Sequence, residues 1–391
     1  MIDRRTCLRA ALATVALAPA FAASAAAAPD LSPDLEPLRS KYRLPALAAA
    51  VVKGGALIAA GVTGVRALGR PDKAQIGDRF HLGSDTKAMT ATLAGMMVDQ
   101  GKLSWKTTIG EALGRRTPGV NPALAAVTLE QLLSHSGGIP SDTDEMLNLY
   151  FNADALKYNI AETRLAAFVK WKSHAPATKP GAEFHYANLG YLIAGLMIEQ
   201  AAGVTWEELI VSRIFRPLGL ASAGLGPQAS VGRLDAAVGH DIEGDKVTPM
   251  WWGPAADVPP LLGPAGSAHM NVLDFAAWAA WNAGAGRRGP ALVKRETLAS
   301  IHAARISTGK IANPRPGTPS EGEYALGWGI VKFDWTATPV LTHNGSNGFN
   351  LAKILVDTHG DIGVAVVTNF PGGKAEDAAN DAMESLYKRF A

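Results

Sequence analysis

Cysteine is almost absent: Cys7 is the single one in 391 residues. One thiol cannot close an internal disulfide, and it cannot by itself build a cysteine-ligated metal centre. Net charge is also scarce. Lys and Arg number 37 against 35 Asp and Glu, a balance that argues against a nucleic-acid groove or a polybasic membrane surface. The chain has no H-E-x-x-H, and His81, His135, His174, His185, His240, His269, His302 and His359 are scattered, so each reads as a loop or core residue rather than a metal ligand. No G-x-S-x-G elbow occurs either. Gly345-Ser346-Asn347-Gly348 is one residue short of it, which leaves an α/β-hydrolase without its nucleophile. No phosphate-binding glycine loop follows a strand. The expected partner is a small molecule, with no cofactor, no metal and no nucleic acid.

Apolar residues are plentiful, at 48%, and 41 glycines accompany them, enough to bury a large core in one or two domains. The first 28 residues have the pattern of an export signal. Arg4, Arg5 and Arg9 carry positive charge, Ala10 to Phe21 form an apolar core, and Ala25 to Ala28 supply small cleavage-site residues. Arg4-Arg5 followed by Thr6, Cys7 and Leu8 resembles a twin-arginine signal, with Cys7 where an aromatic residue often stands. The apolar core is shorter than the roughly 20 residues that span a bilayer, so no stable membrane anchor is expected. Cleavage would remove the only thiol and leave a soluble periplasmic or secreted protein.

Two strand-like runs open the remaining chain, Ala46 to Val52 and Ala56 to Thr63, joined by Lys53-Gly54-Gly55, where glycine permits the positive φ of a tight hairpin. Further runs lie near the other end: Ala325 to Val331, Pro339 to Thr342, Leu351 to Val356 and Ile362 to Thr368. Lys374 to Phe390 has helical periodicity, with Ala375, Ala378, Ala379, Ala382, Met383, Leu386 and Tyr387 on one face. The middle reads as helical, including Thr128 to Leu133, Leu189 to Gln200 and Thr205 to Ile214, while Gly253 to Gly266 and Lys310 to Gly322 read as surface connections. This is an α+β pattern. One antiparallel sheet from both termini (about 29–84 plus 282–391) would carry a helical insert (about 85–281).

Ser84 and Lys87 lie three apart in His81-Leu82-Gly83-Ser84-Asp85-Thr86-Lys87, at the mouth of a helical run that continues to Gly101. A serine hydroxyl needs a positioned base, and positions i and i+3 share a helix face. The helix start also offers N–H groups to developing negative charge, the Ser84 amide among them. Alone, S-x-x-K equally describes an ordinary capped helix start. Two further groups accompany it. Tyr186 and Asn188 flank a small residue before a helix, where a phenol could shuttle a proton and an amide could hold Lys87 or a substrate carbonyl. His343-Asn344-Gly345-Ser346 ends a strand: Gly345 would let substrate lie along the strand edge, His343 would present a polar group into the cleft, and the Ser346 amide would complete an oxyanion hole. Either Lys87 or Tyr186 could be the base. A Tyr186 phenolate at pH 7 requires its pKa to fall by about three units.

Ser84-x-x-Lys87, Tyr186-x-Asn188 and His343-x-Gly345, in that order, resemble the three signature boxes of the penicillin-recognising serine hydrolases. The branch they resemble contains class C β-lactamases, D-alanyl-D-alanine carboxypeptidases, D-aminopeptidases and β-lactamase-like esterases. Phe80-His81-Leu82-Gly83-Ser84, Gln131 to Gly138 and Gly263-Pro264-Ala265-Gly266-Ser267 match as well. The resemblance implies a β-lactamase/transpeptidase-like fold, an antiparallel sheet packed by terminal helices with a helical domain inserted, and an acyl-serine intermediate at the junction. It implies Ser84, Lys87 and Tyr186 as catalytic residues and Asn188, His343, Asn344, Gly345 and Ser346 as substrate-binding ones.

The third box departs from the β-lactamase pattern of Lys, then Thr or Ser, then Gly. At its reference pKa, His343 would be only about a quarter charged at pH 7, and Asn344 lacks a hydroxyl, so a substrate carboxylate loses its usual grip. The order of expectation is esterase or amidase, then D-amino-acid peptidase or DD-carboxypeptidase, then β-lactamase. The non-enzymatic alternative is a penicillin-binding sensor or peptidoglycan-binding module. Trp251, Trp252 and Trp328 read as core aromatics that could otherwise line an acyl pocket. Oligomeric state leaves no trace in the pattern.

Overall fold

The computed structural model describes residues 28–152, 159–251, 256–315 and 317–391. The export-signal pattern, apart from its last residue, and Trp252 lie outside the described residues. In chain order the first strands are β1 (Ala46–Lys53), β2 (Ala56–Gly64), β3 (Phe80–His81), β4 (Gly224–Leu225), β5 (His240–Glu243), β6 (Lys246–Pro249) and β7 (Ala268–Met270). The carboxy-terminal group comprises β8 (Ile306–Lys310), β9 (Glu321–Tyr324), β10 (Gly329–Val331), β11 (Val340–Gly345), β12 (Leu351–Asp357) and β13 (Ile362–Thr368). The framing helices are α1 (Ser32–Tyr42), α2 (Thr86–Asp99), α3 (Asn188–Ala202), α4 (Val272–Ala283) and α5 (Gly373–Phe390).

Both ends of the chain meet in one antiparallel eight-stranded sheet of order β2-β1-β13-β12-β11-β10-β9-β8. Gly54 and Gly55, at φ 61 and 84, form the two-residue turn that pairs Lys53 with Ala56. Both central residues of such a turn need positive φ, which glycine adopts without steric cost. Strand β1 is buried on both faces. Ala48 and Ala50 point into the main core with Phe275 and Ala279 of α4, while Leu47 and Val51 face α1 and α5. Every residue expected on the apolar face of the last helix, from Ala375 to Tyr387, is buried. Met383 and Leu386 are the large aliphatic side chains on that face, and burying each contributes roughly 1.5–3 kcal/mol.

Several segments depart from the periodicity reading. Ala325 to Val331 is not one strand: β9 ends at Tyr324 and β10 begins at Gly329, with the Ala325 N–H donating to Trp328 O across the turn. Gly327, at φ 77, lets this turn lie against α2, where a Cβ would sit 2.7 Å from Lys87 O. Thr205 to Ile214 is an α-helix only over Trp206–Ile210, followed by a π-helical turn over Val211–Phe215. Part of the Lys310 to Gly322 connection belongs to β8 and β9. The small sheet β3-β7-β4 and the β5–β6 hairpin are too short to leave a periodic signal.

Candidate active site

Ser84 occupies a 3-10 turn, Gly83–Asp85, between β3 and α2. Strand β3 pairs with β7, which fixes where that turn leaves the small sheet. Two glycines let it approach the end of β11. A Cβ on Gly83 would lie 2.3 Å from Ser346 N, and one on Gly345 only 1.8 Å from Leu82 O. Gly345 is thus required by the serine turn itself. Strand β11 also outruns β10: their pairing stops at Thr342 with Gly329, so His343, Asn344 and Gly345 keep an unpaired edge on that side. The Ser346 N–H lies one residue beyond the last β11–β12 pair, Gly345 with Ala352.

Lys87, fully buried, points back from the first turn of α2. Its Nζ lies 2.9 Å from Ser84 Oγ, 2.8 Å from Asn188 Oδ1 and 2.8 Å from Ala265 O. Asn188 opens α3, and its amide is oriented because Nδ2 donates to Asp142 Oδ2 at 2.6 Å. Burial pushes the Lys87 amine down to about 7, opposed by the negative charges of Asp142 and Asp85. A neutral amine has two N–H donors and one lone pair. Asn188 Oδ1 and Ala265 O can take the two donors, leaving the lone pair for the Ser84 hydroxyl proton.

Lys87 Nζ also lies over the Tyr186 ring, 4.8 Å from its centre. Its hydroxyl interacts with Ser84, but enclosure raises its pKa above the ordinary phenol value. The fall that a phenolate base requires is therefore reversed in sign. His135 brackets this residue. Its carbonyl accepts the His185 N–H at 2.8 Å, its Nδ1 accepts the Ala187 N–H at 3.1 Å, and its ring stands 4.2 Å from that of Tyr186.

His343 does not reach into the cleft as a free polar group. It is buried, its Nε2 meets the Tyr324 hydroxyl at 2.8 Å, and its Nδ1 meets Asn344 O at 2.9 Å. Burial and the nearby Lys87 push it down to about 3, so it is uncharged at neutral pH. Asn344 and Ser346 are exposed beside it. Asp85 is buried, neither of its carboxyl oxygens has a hydrogen-bond partner among the described residues, and burial drives its pKa well above the usual range. Trp328 is fully buried in the core. Asp142, His135 and the Ala265 carbonyl escaped the sequence reading. His135 could have been noticed in the Gln131 to Gly138 match, whereas a carbonyl oxygen carries no residue-type signal.

A two-sided antiparallel sheet, a helical region, and a serine–lysine pair where they meet define a β-lactamase/penicillin-binding-protein-like fold. The chain belongs to the Beta-lactamase family, whose sequence model matches residues 25–388. It is similar to penicillin-binding protein 4 of Amycolatopsis lactamdurans, 26% identical over 363 residues that cover 91% of this chain and 88% of that protein. Other curated relatives are longer, and the chain spans 52%, 59% or 60% of their length. The fold is similar to an octameric penicillin-binding protein homologue from Pyrococcus abyssi, with TM-score 0.72 and 24% identity, covering 90% of this chain and 75% of that one. It is also similar to a D-amino acid amidase from Ochrobactrum anthropi, solved with L-phenylalanine amide, with TM-score 0.70 and 17% identity over 91% and 98% of the two chains. Among the described residues, no helix is long and apolar enough to cross a membrane.

Proposed function

We propose that this protein hydrolyses small esters or amides through an acyl-enzyme on Ser84, with Lys87 as the general base. The observation that carries the reading is the Lys87 amine. Its two fixed acceptors and its lowered pKa leave a lone pair directed at Ser84 Oγ, 2.9 Å away. Lys87 takes the hydroxyl proton as Oγ attacks the carbonyl carbon, and the Ser84 and Ser346 amides hold the resulting oxyanion. Tyr186, a neutral phenol, passes a proton from the Lys87 side to the leaving group as the carbonyl–leaving-group bond breaks. Water then attacks the acyl-serine by the reverse proton path. The reading also makes this an exported enzyme, on the charge and apolar pattern of residues 1–28.

The substrate preference follows from His343. An uncharged, hydrogen-bonded imidazole offers no cation to a carboxylate, which favours neutral acyl groups over carboxylate-bearing β-lactams. D-amino-acid amides are the second reading, supported by the D-amino acid amidase likeness. Ser84→Ala is expected to abolish hydrolysis of a simple aryl ester while leaving the melting temperature unchanged, and a labelled fluorophosphonate should modify Ser84 in the unsubstituted protein. Undiminished turnover in Ser84→Ala removes the nucleophile assignment. Absence of labelling favours a non-catalytic binding module. A panel of short-chain aryl esters, D-amino-acid amides and a chromogenic cephalosporin ranks the substrates, and faster turnover of the cephalosporin overturns the preference.

A further inference from the structure

We propose that Asp257 is a positioning residue that locks the two oxyanion donors, the Ser84 and Ser346 amides, to each other. The proposal rests on the oxyanion reading given above. Asp257 is buried and belongs to neither the small sheet nor the large one. Its Oδ1 lies 2.8 Å from His81 Nε2, accepts Asn347 Nδ2 at 3.2 Å, and accepts the Val258 N–H at 2.7 Å.

The first of these contacts reaches the serine turn. His81 ends β3 and is fully buried, and its Nδ1 accepts the Gly83 N–H at 3.0 Å. An Nδ1 that accepts leaves the imidazole proton on Nε2, the ring atom that lies 2.8 Å from Asp257 Oδ1. The carboxylate packs against the Nε2 edge of the ring, and the ring's Nδ1 holds the Leu82–Gly83 peptide, one peptide ahead of the Ser84 amide. The second contact reaches the other donor. Asn347 follows Ser346, and its Oδ1 accepts the Phe349 N–H at 3.2 Å and Asn350 Nδ2 at 3.0 Å, so the loop after β11 turns about this side chain. Gly83 and Ser346 touch directly, as the 2.3 Å approach of a Gly83 Cβ to Ser346 N shows. Asp257, His81, Gly83, Ser346 and Asn347 thus form a closed ring of contacts with one carboxylate oxygen at its far side.

Asp257 Oδ1 accepts two hydrogen bonds, from Asn347 Nδ2 and the Val258 N–H, while His81 Nε2 stands 2.8 Å from it. Oxyanion donors must stand about 2.7–3.1 Å from the oxygen they stabilise, and a displacement of about 1 Å costs on the order of 100-fold in rate. Asp257 touches neither Ser84 nor Lys87 in this structure. Its effect on the reaction passes through the geometry of the two amides.

The test compares an aryl ester with its thionoester in the full chain carrying Asp257→Asn. Sulfur in place of the carbonyl oxygen is a poor hydrogen-bond acceptor and draws little from an oxyanion hole. Asp257→Asn is expected to lower kcat/KM for the ester about 10- to 100-fold, through kcat, and to lower it for the thionoester only a few-fold. The base-limb pKa should remain near 7, and the melting temperature should show the variant folded. Asn347→Ala, which cuts only the Ser346 arm, should compress the ester-to-thionoester ratio in the same direction and serves if the first variant does not fold. Equal slowing of both substrates, or no slowing, overturns the proposal. A failure of the oxyanion reading itself is seen separately: the unsubstituted enzyme then shows no preference for the ester, and the proposal falls with it.

Discussion

His135 holds the backbone on both sides of Tyr186 while its ring lies 4.2 Å from the phenol ring. It does so from a left-handed conformation, φ 58, which points both its carbonyl and its Nδ1 at the His185–Ala187 segment. Removing the imidazole frees the Ala187 N–H and the Tyr186 ring together. His135→Ala is expected to lower kcat/KM for an aryl ester about 100-fold, by analogy with other small displacements of reacting groups. Asn tolerates positive φ and offers an acceptor near the Nδ1 position, so His135→Asn should recover most of the loss. Equal activity in the two variants contradicts the positioning role.

With Lys87 as the proposed base, its amine should give the rate its pH dependence. A base works when deprotonated, and this amine is pushed down to about 7, so kcat/KM should be low below pH 7, rise through that value and level off above it. Lys87→Arg stays protonated across the range and should lose at least 1000-fold, about the contribution of one general base. A pH-rate profile flat from 5 to 9 contradicts the assignment of Lys87 as base.

The close approach of the serine turn to β11 leaves no space for a methyl group. Gly345→Ala would place carbon 1.8 Å from Leu82 O, and Gly83→Ala would combine a 2.3 Å clash with an unfavourable φ of 49. Each is expected to reduce turnover at least 100-fold, because the backbone must move by an appreciable fraction of an ångström where the two proposed oxyanion donors are set. Steady-state kinetics on folded protein, checked by circular dichroism, provide the measurement.

Arg164 is a buried cation of the helical region. It is fully buried, pairs with Glu199, meets Glu207 Oε1 at 2.6 Å, and donates from Nε to Leu261 O at 3.0 Å. Leu261 lies just ahead of the short helical turn Gly263–Gly266 that presents the Ala265 carbonyl to Lys87. Arg164→Met leaves two carboxylates partly buried without their counter-charge, a change that costs about 3–5 kcal/mol. Urea denaturation should show that loss. A cost below about 1 kcal/mol would mean that solvent reaches the carboxylates in the native state.

The legible parts of the fold are those with long periods or a distinctive turn. Strands β1 and β2 announce themselves by their apolar runs and by Gly54-Gly55, and α5 by seven apolar positions on one face. The short strands of the small sheet do not, because two or three residues establish no period, yet β3 and β7 decide where Ser84 emerges. At the site, residue types and their order pointed to Ser84, Lys87, Tyr186 and Asn188. Residue types left the choice between Lys87 and a Tyr186 phenolate open and had His343 mostly neutral; burial keeps Tyr186 a phenol and lowers His343 further, and burial cannot be computed from neighbours in sequence.

The sequence by itself determined the family and the chemical groups available: a serine, an amine three residues on, a phenol, an amide and a glycine-bearing strand end, each in its local context. Tertiary structure decided which of those groups is charged and which lone pair faces which proton. Asn188, Ala265 and Asp142 converge on the Lys87 environment from separate segments, and burial lowers the amine to about 7 against the opposing negative charge of Asp142. Protonation energies depend on distance and on excluded water, and only folding sets those two quantities.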